Sequence, residues 1–230
     1  MKIREFKMRA SAADLLLVKP TKGIVSAGTL TYLQEWLVLQ TDGRQREIDS
    51  KYIRKGHERE QDSLNRIAQL FGISELPKNE QFYKNDYFCG TPDALHGGIV
   101  FDAKTAYDKF TMPYFGELNR KYATQMQVYM ELTGCNTAYV CHCLENPTDA
   151  ELDYKGREYE EVTEEVWQEL IDRYGFDHLP DEMRIVSFRV DPDPAIIEQL
   201  QNGVIACRKA LQEVVIPQFE KSTGIKVEIV

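Results

Sequence analysis

The 230-residue chain is short of several things, and each shortage narrows what it can be. No stretch approaches the roughly 20 consecutive apolar residues of a membrane-spanning helix, so none is expected. Lys2, Arg4, Lys7 and Arg9 are followed only by the brief apolar run Leu15-Leu16-Leu17-Val18, itself preceded by Asp14, and no secretory signal is expected. Cysteine is sparse and odd in number, at Cys89, Cys135, Cys141, Cys143 and Cys207, with no disulfide-framework spacing, which points to a reducing, cytoplasmic setting. There is no repeat period, no low-complexity tract and no Gly/Ser/Pro linker, so a single domain over 1–230 is expected. Positive charge is also scarce: 28 Lys and Arg stand against 37 Asp and Glu, a net charge of −9 that excludes a general basic coat for nucleic acid.

The charge that is present is unevenly spread. Residues 1–66 hold 13 basic and 9 acidic side chains, whereas residues 145–182 hold 3 basic and 14 acidic ones. The first segment, with Lys51, Arg54, Lys55, Arg59 and Arg66 close to Glu60, is where a track for a nucleic-acid strand is expected, and the acidic one reads as an outer face or partner surface. The periodicity predicts an N-capped helix from Ser11, a helix over 29–39, and one over 57–71 carrying Leu64, Ile67, Leu70 and Phe71 and stopped by Gly72. β-rich runs follow over 86–95 and 99–105, joined by His96-Gly97-Gly98. Beyond them come a helix over 115–133, a strand over 138–144, a helix opening at Thr163, a strand over 184–190 and a long helix from Asp193-Pro194. Helices flanking a small mixed β-sheet define an α/β (α+β) class.

The hairpin carries the chemistry. If Gly97-Gly98 is a two-residue turn, His96 pairs with Ile99, and counting back sets Asp93 opposite Asp102. Lys104 projects from the same face as Asp102, while Phe101 and Ala103 point away. Opposed carboxylates repel unless a cation lies between them, and oxygen ligands suit a hard ion such as Mg²⁺ or Mn²⁺. Solvated acids paired with lysine are the competing reading of this hairpin. On the preceding helix Glu60 shares the apolar face of Leu64 and Ile67, so it is either a partnered buried acid or one at the edge of the core. Glu58 instead falls on the polar face with Asp62, Asn65 and Gln69. On the following helix Gln125 and Tyr129 lie one turn apart, as cleft-lining groups or as core.

Taken together, Pro92-Asp93, eight residues, then Asp102-Ala103-Lys104 resembles the signature of the PD-(D/E)XK nuclease superfamily. Lys55-Gly56-x-x-x-Glu60 resembles its acidic-helix motif. Gln125-x-x-x-Tyr129, set in Lys121-Tyr122-x-x-Gln125-x-Gln127-x-Tyr129-Met130, resembles the lambda-type and RecB-like exonuclease branch. With Arg9-Ala10-Ser11 at the start, the similarity runs in order from about residue 9 to 215 and is strongest to phage and prophage exonucleases.

The resemblance implies a restriction-endonuclease-like core over about 50–145 with a C-terminal elaboration over 146–230. It implies a metal-dependent DNA exonuclease of phage-type recombination or DNA end processing. Glu60, Asp93 and Asp102, with the carbonyl of Ala103, would be the metal ligands for Mg²⁺ or Mn²⁺. Lys104 would position and help deprotonate the attacking water, under electrostatic pressure to lose its own proton beside the metal. Gln125 would orient that water or the scissile phosphate, and Tyr129 would support the same wall. A single-strand annealing protein as partner and a ring-like trimer belong to the same analogy. Arg9 and Ser11, at a helix start, are candidates for a DNA phosphate, with an N-cap and a surface arginine as the plainer alternative. An endonuclease, or a non-hydrolytic DNA-binding subunit on a nuclease fold, is the alternative reading of the chain, and the intact Asp93, Asp102 and Lys104 speak against the second. Cys141-His142-Cys143 does not read as a metal site, because His142 faces away from both cysteines on a strand. His96 reads as a turn residue.

Overall fold

The computed structural model describes residues 1–44 and 50–230. Its centre is a four-stranded mixed sheet of β5 (Ala94–His96), β6 (Ile99–Ala106), β7 (Thr137–Leu144) and β8 (Ile185–Val190), in the order β5-β6-β7-β8. Within this sheet the β6–β7 pair is parallel and the other two pairs are antiparallel, and α4 (Arg120–Thr133) makes the crossover between β6 and β7. A smaller sheet combines β2 (Met8–Arg9), β3 (Tyr83–Lys84) and β4 (Phe88–Gly90). A third joins the chain ends through β1 (Lys2–Ile3) and β9 (Glu228–Ile229).

Alternation along β6 and β7 splits the core in two. Phe101, Cys141 and Cys143 turn to one face and pack on Leu64, Ile67 and Ala68 of α3 (Glu60–Phe71). Val100, Ala138 and Val140 turn to the other and pack with Met126, Val128 and Tyr129 of α4. That larger cluster also takes in Leu33 and Leu37 of α1 (Ala27–Asp42) and Leu200 and Val204 of α7 (Pro194–Ala210). The rest of the helical frame comprises α2 (Lys51–Glu58), α5 (Asp149–Gly156), α6 (Glu164–Tyr174) and α8 (Ile216–Thr223).

Local chemistry explains the element ends. Gly72 and Gly134 terminate α3 and α4 in the left-handed region, and Thr163 and Asp193 cap α6 and α7, all as expected. Four expectations need correction. The helix over 57–71 is broken at Arg59 (φ −104°, ψ 8°), so Glu60 opens α3 rather than lying inside a continuous helix. The helix expected over 115–133 begins only at Arg120, where Asn119 accepts from the Lys121 N–H, and Phe115 is left fully exposed. The β-run over 86–95 is divided at Thr91-Pro92-Asp93, so that β4 and β5 serve different sheets. Ser11 is not a cap: Ala10–Leu17 forms 3₁₀ turns that start after Arg9 with no side-chain hydrogen bond at their head.

Candidate active site

The Gly97-Gly98 turn has φ of 56° and 78°, and it pairs His96 with Ile99 and Ala94 with Phe101. Both central residues are left-handed, the condition of the two-residue hairpin expected from the sequence. One step further the strands part. β5 stops short of Asp93, and the Ala103 N–H donates to Asp93 Oδ2 at 2.8 Å. Asp93 therefore lies beside Asp102 but replaces a missing ladder bond on the free edge of β6 with its own carboxylate. Over that edge opens a cleft of about 560 Å³, lined among others by Tyr52, Glu60, Asp93, Ala103, Lys104 and His142.

Asp102 is fully buried. Its Oδ1 accepts from Gln125 Nε2 at 3.3 Å, and its Oδ2 faces Lys104 Nζ at 2.5 Å without hydrogen-bond geometry. Gln125 Nε2 also reaches the Tyr129 hydroxyl at 3.2 Å, and that hydroxyl donates to the Thr91 carbonyl at 2.9 Å. The pair thus ties α4 both to β6 and to the turn that delivers Asp93. Tyr129 is seated closely: a Cβ on Gly90 would stand 2.8 Å from its ring and 3.2 Å from the Ala10 Cβ. Gly90→Ala is accordingly expected to cost about 1–3 kcal/mol through overpacking and to lower turnover, checked by thermal unfolding and a nuclease assay on one preparation.

The electrostatics follow from this burial. Burial and the neighbouring Asp102 push Asp93 up to about 7, against the opposing pull of Lys104 and the Ala103 N–H. Burial likewise raises Asp102, although Lys104 opposes it. Burial acts to lower Lys104, but Asp102 and Asp93 outweigh it, and its ammonium is held more firmly protonated than usual. Tyr129 is raised to about 12 by burial, so its hydroxyl is neutral and free to donate.

Two carboxylates with raised pKa values, Asp93 half-buried and Asp102 fully buried with an oxygen lacking a hydrogen-bond partner, form a hard-oxygen donor set suited to a divalent cation. The third expected ligand stands apart. Glu60 reaches the same cleft from α3, but its Oε2 is taken by Lys78 Nζ at 2.5 Å. Among the described residues, no three His, Cys, Asp or Glu side chains are clustered closely enough to cage a metal.

The basic track expected near Glu60 is largely consumed by other partners. Lys55 is buried, lowered by that burial, and donates to the Tyr107 carbonyl at 2.8 Å, with Glu151 at 3.8 Å. Arg66 is held by Glu145 and Asp181, and Arg59 by Asp62 and the Pro147 carbonyl. Glu145, buried between Arg66 and Arg184, shows that the acidic segment is partly an internal counter-charge rather than only an outer face. Arg9 and Ser11 are both exposed, one residue either side of Ala10, which backs onto Gly90 and so onto the Tyr129 wall. Neither lines the cleft, and nor does His96.

Two site residues were missed from sequence. His142 lies opposite Lys104 in the β6–β7 register and packs edge-on against Tyr122 and Phe188. Burial first, and then Lys104, lower it to about 4, so it is a neutral wall at pH 7. Strand alternation turned it away from the cysteines, and the parallel β6–β7 register sets it on the Lys104 face. Lys78 sits in an irregular segment and carries no sequence signal.

No family profile and no curated protein sequence matches the chain. Solved structures do. A phage-related exonuclease from Haemophilus somnus 129PT is similar at a TM-score of 0.75 and 19% identity, over 93% of this chain and 97% of its own. The alkaline exonuclease of Laribacter hongkongensis is similar at a TM-score of 0.66 and 19% identity, over 96% and 95%. Its complex with dAMP gives 0.65 and 18%, over 95% and 93%. The chain therefore has the fold of these phage-related and alkaline exonucleases, as the motif resemblance implied. Among the described residues no helix is long and apolar enough to cross a membrane.

Proposed function

We propose that the chain is a metal-dependent exonuclease that hydrolyses DNA phosphodiester bonds from an end, in phage-type recombination or DNA end processing. The observation that carries this reading is the meeting of Asp93 and Lys104 at the free edge of β6, with Asp102 buried beside Lys104 and Glu60 lining the same cleft, in an exonuclease fold. Glu60, Asp93, Asp102 and the Ala103 carbonyl would hold Mg²⁺ or Mn²⁺. When bound, the cation offsets charge on the phosphoryl oxygens and makes water a better nucleophile near neutral pH. Lys104, which meets Asp102 Oδ2 and lines the cleft, orients that water and faces the scissile phosphate. Gln125 and Tyr129 fix Asp102 and the Thr91–Asp93 turn in register with each other.

Arg9 and Ser11 take a terminal phosphate in this reading, supported by the uncapped N–H groups at the head of Ala10–Leu17. The similarity to lambda-type enzymes extends the proposal to a single nuclease domain, a ring-like trimer, a single-strand annealing partner and a cytoplasmic setting.

One experiment tests the activity and the end. Wild type and Arg9→Ala are incubated with Mg²⁺ and end-labelled linear duplexes with or without a 5′ phosphate, beside closed circles. Wild type is expected to shorten linear DNA, spare circles and stop in EDTA. Arg9→Ala is expected to lose about tenfold on the phosphorylated end, the order of one charge-assisted contact. Nicking of circles would indicate an endonuclease, and intact DNA throughout would indicate a non-hydrolytic binder.

A further inference from the structure

The chain between α3 and β3 forms neither helix nor strand, yet it is fastened to the site at several points. Leu76 is buried in the core beneath α3. The Asn79 N–H donates to the Asp93 carbonyl at 2.7 Å, and Asn79 Nδ2 donates to the carbonyls of Pro92 at 2.9 Å and Gln81 at 3.1 Å. The Gln81 N–H returns to Asn79 Oδ1 at 3.2 Å. Lys78 lies between the Leu76 anchor and the Asn79 clamp, so its backbone is registered against the residue pair that begins the nuclease motif. From there its ammonium meets Glu60 Oε2.

We propose that Lys78 is a built-in counter-ion of Glu60 which a divalent cation displaces, so that this lysine sets the metal concentration at which the site loads. The inference rests on the reading of the cleft as a metal-dependent nuclease centre. Its physical basis is competition: an ammonium and a divalent cation cannot both occupy contact distance from one carboxylate oxygen without strong mutual repulsion. The two lysines of the cleft differ in their ability to yield. Lys104 is mostly enclosed and fixed within β6 two residues from Asp102. The Lys78 side chain is 51% exposed, whereas that of Glu60 is 17% exposed, so the ammonium can swing into water while the carboxylate stays. Lys78 is also within electrostatic reach of Asp93, and its presence therefore disfavours a cation at either carboxylate.

The test is calorimetric titration with MnCl₂ in the absence of DNA, on wild type, Lys78→Met, Lys78→Arg, Glu60→Gln and the Glu60→Gln/Lys78→Met pair. Lys78→Met is expected to bind Mn²⁺ about five- to tenfold more tightly than wild type, from the loss of one competing charge at a partly screened position. Lys78→Arg is expected to stay near wild type. In the Glu60→Gln background the added Lys78→Met change is expected to have little effect, because the carboxylate being contested is gone. Unchanged or weaker binding by Lys78→Met, or tightening that persists without Glu60, would overturn the inference while leaving the metal reading intact. Absence of Mn²⁺ binding by wild type and Lys78→Met alike would overturn both.

Discussion

Asp102→Asn and Lys104→Ala are each expected to reduce degradation of linear duplex DNA in Mg²⁺ by roughly 10²–10⁴-fold, the range for removing a charge-stabilising or proton-handling group. The two substitutions fail for different reasons. In Asp102→Asn one amide oxygen can still accept from Gln125, but the amide nitrogen is turned toward the Lys104 ammonium, donor against donor. Lys104 is then driven from its place and the buried anion is lost. In Lys104→Ala the two carboxylates remain and lose the group that opposes their raised pKa values. Without metal, protonation then becomes their main route to neutralisation. Both variants are to be compared with wild type by circular dichroism and thermal unfolding, so that lost activity is separated from lost fold. Wild-type turnover by folded Lys104→Ala would sink the site assignment.

The hairpin was legible because glycine tolerates the positive φ that both central residues of a two-residue turn require: Gly97-Gly98 then sets the register, and register decides which side chains share a face. The stop signals at Gly72 and Gly134 were legible for a related reason, since a left-handed terminus asks for glycine. Legibility failed where a residue's partner lies far along the chain. Lys55, Arg59 and Arg66 look from sequence like a basic track beside Glu60, but Glu151, the Pro147 carbonyl and Glu145 take them up, each at a sequence separation of about 80 or more. Charge counting cannot see such pairing, because it is set by packing of α5 and the β7 terminus against α2 and α3. Lys78 escaped notice because an irregular segment has no period to read, and its placement depends on the Asn79 bonds to Pro92 and Asp93. The alternating pattern placed Asp93 opposite Asp102. It did not foresee that β5 would leave the sheet at Pro92-Asp93 and free the edge of β6 for the cleft.

That free edge carries a cost that pH should reveal. Asp93→Asn is expected to be inactive, yet in EDTA at pH 8 more stable than wild type. In the folded chain Asp93 is raised to about 7 from an ordinary value of 3.8. Below the ordinary value the carboxyl is protonated in both folded and unfolded chains, and its stabilising effect is fully present. As pH rises toward 7 the unfolded chain releases the proton while the folded chain retains it, so stability falls; above the folded value the loss is complete. A gap of this width corresponds to at most about 4 kcal/mol, and solvent access to the partly exposed Asp93 reduces the expected effect to about 2 kcal/mol. The asparagine retains an oxygen to accept from the Ala103 N–H and removes the ionisation. Its unfolding temperature in EDTA at pH 8 is therefore expected to exceed that of wild type by roughly 4–8 °C, with the difference closing as pH is lowered toward 4. Mn²⁺ at pH 8 is expected to stabilise wild type and leave Asp93→Asn nearly unmoved, since binding to the folded form alone raises stability by mass action. A destabilised Asp93→Asn in EDTA at pH 8, or a difference that does not vary with pH, would show that Asp93 is held by its hydrogen bond to the strand edge rather than strained by buried charge.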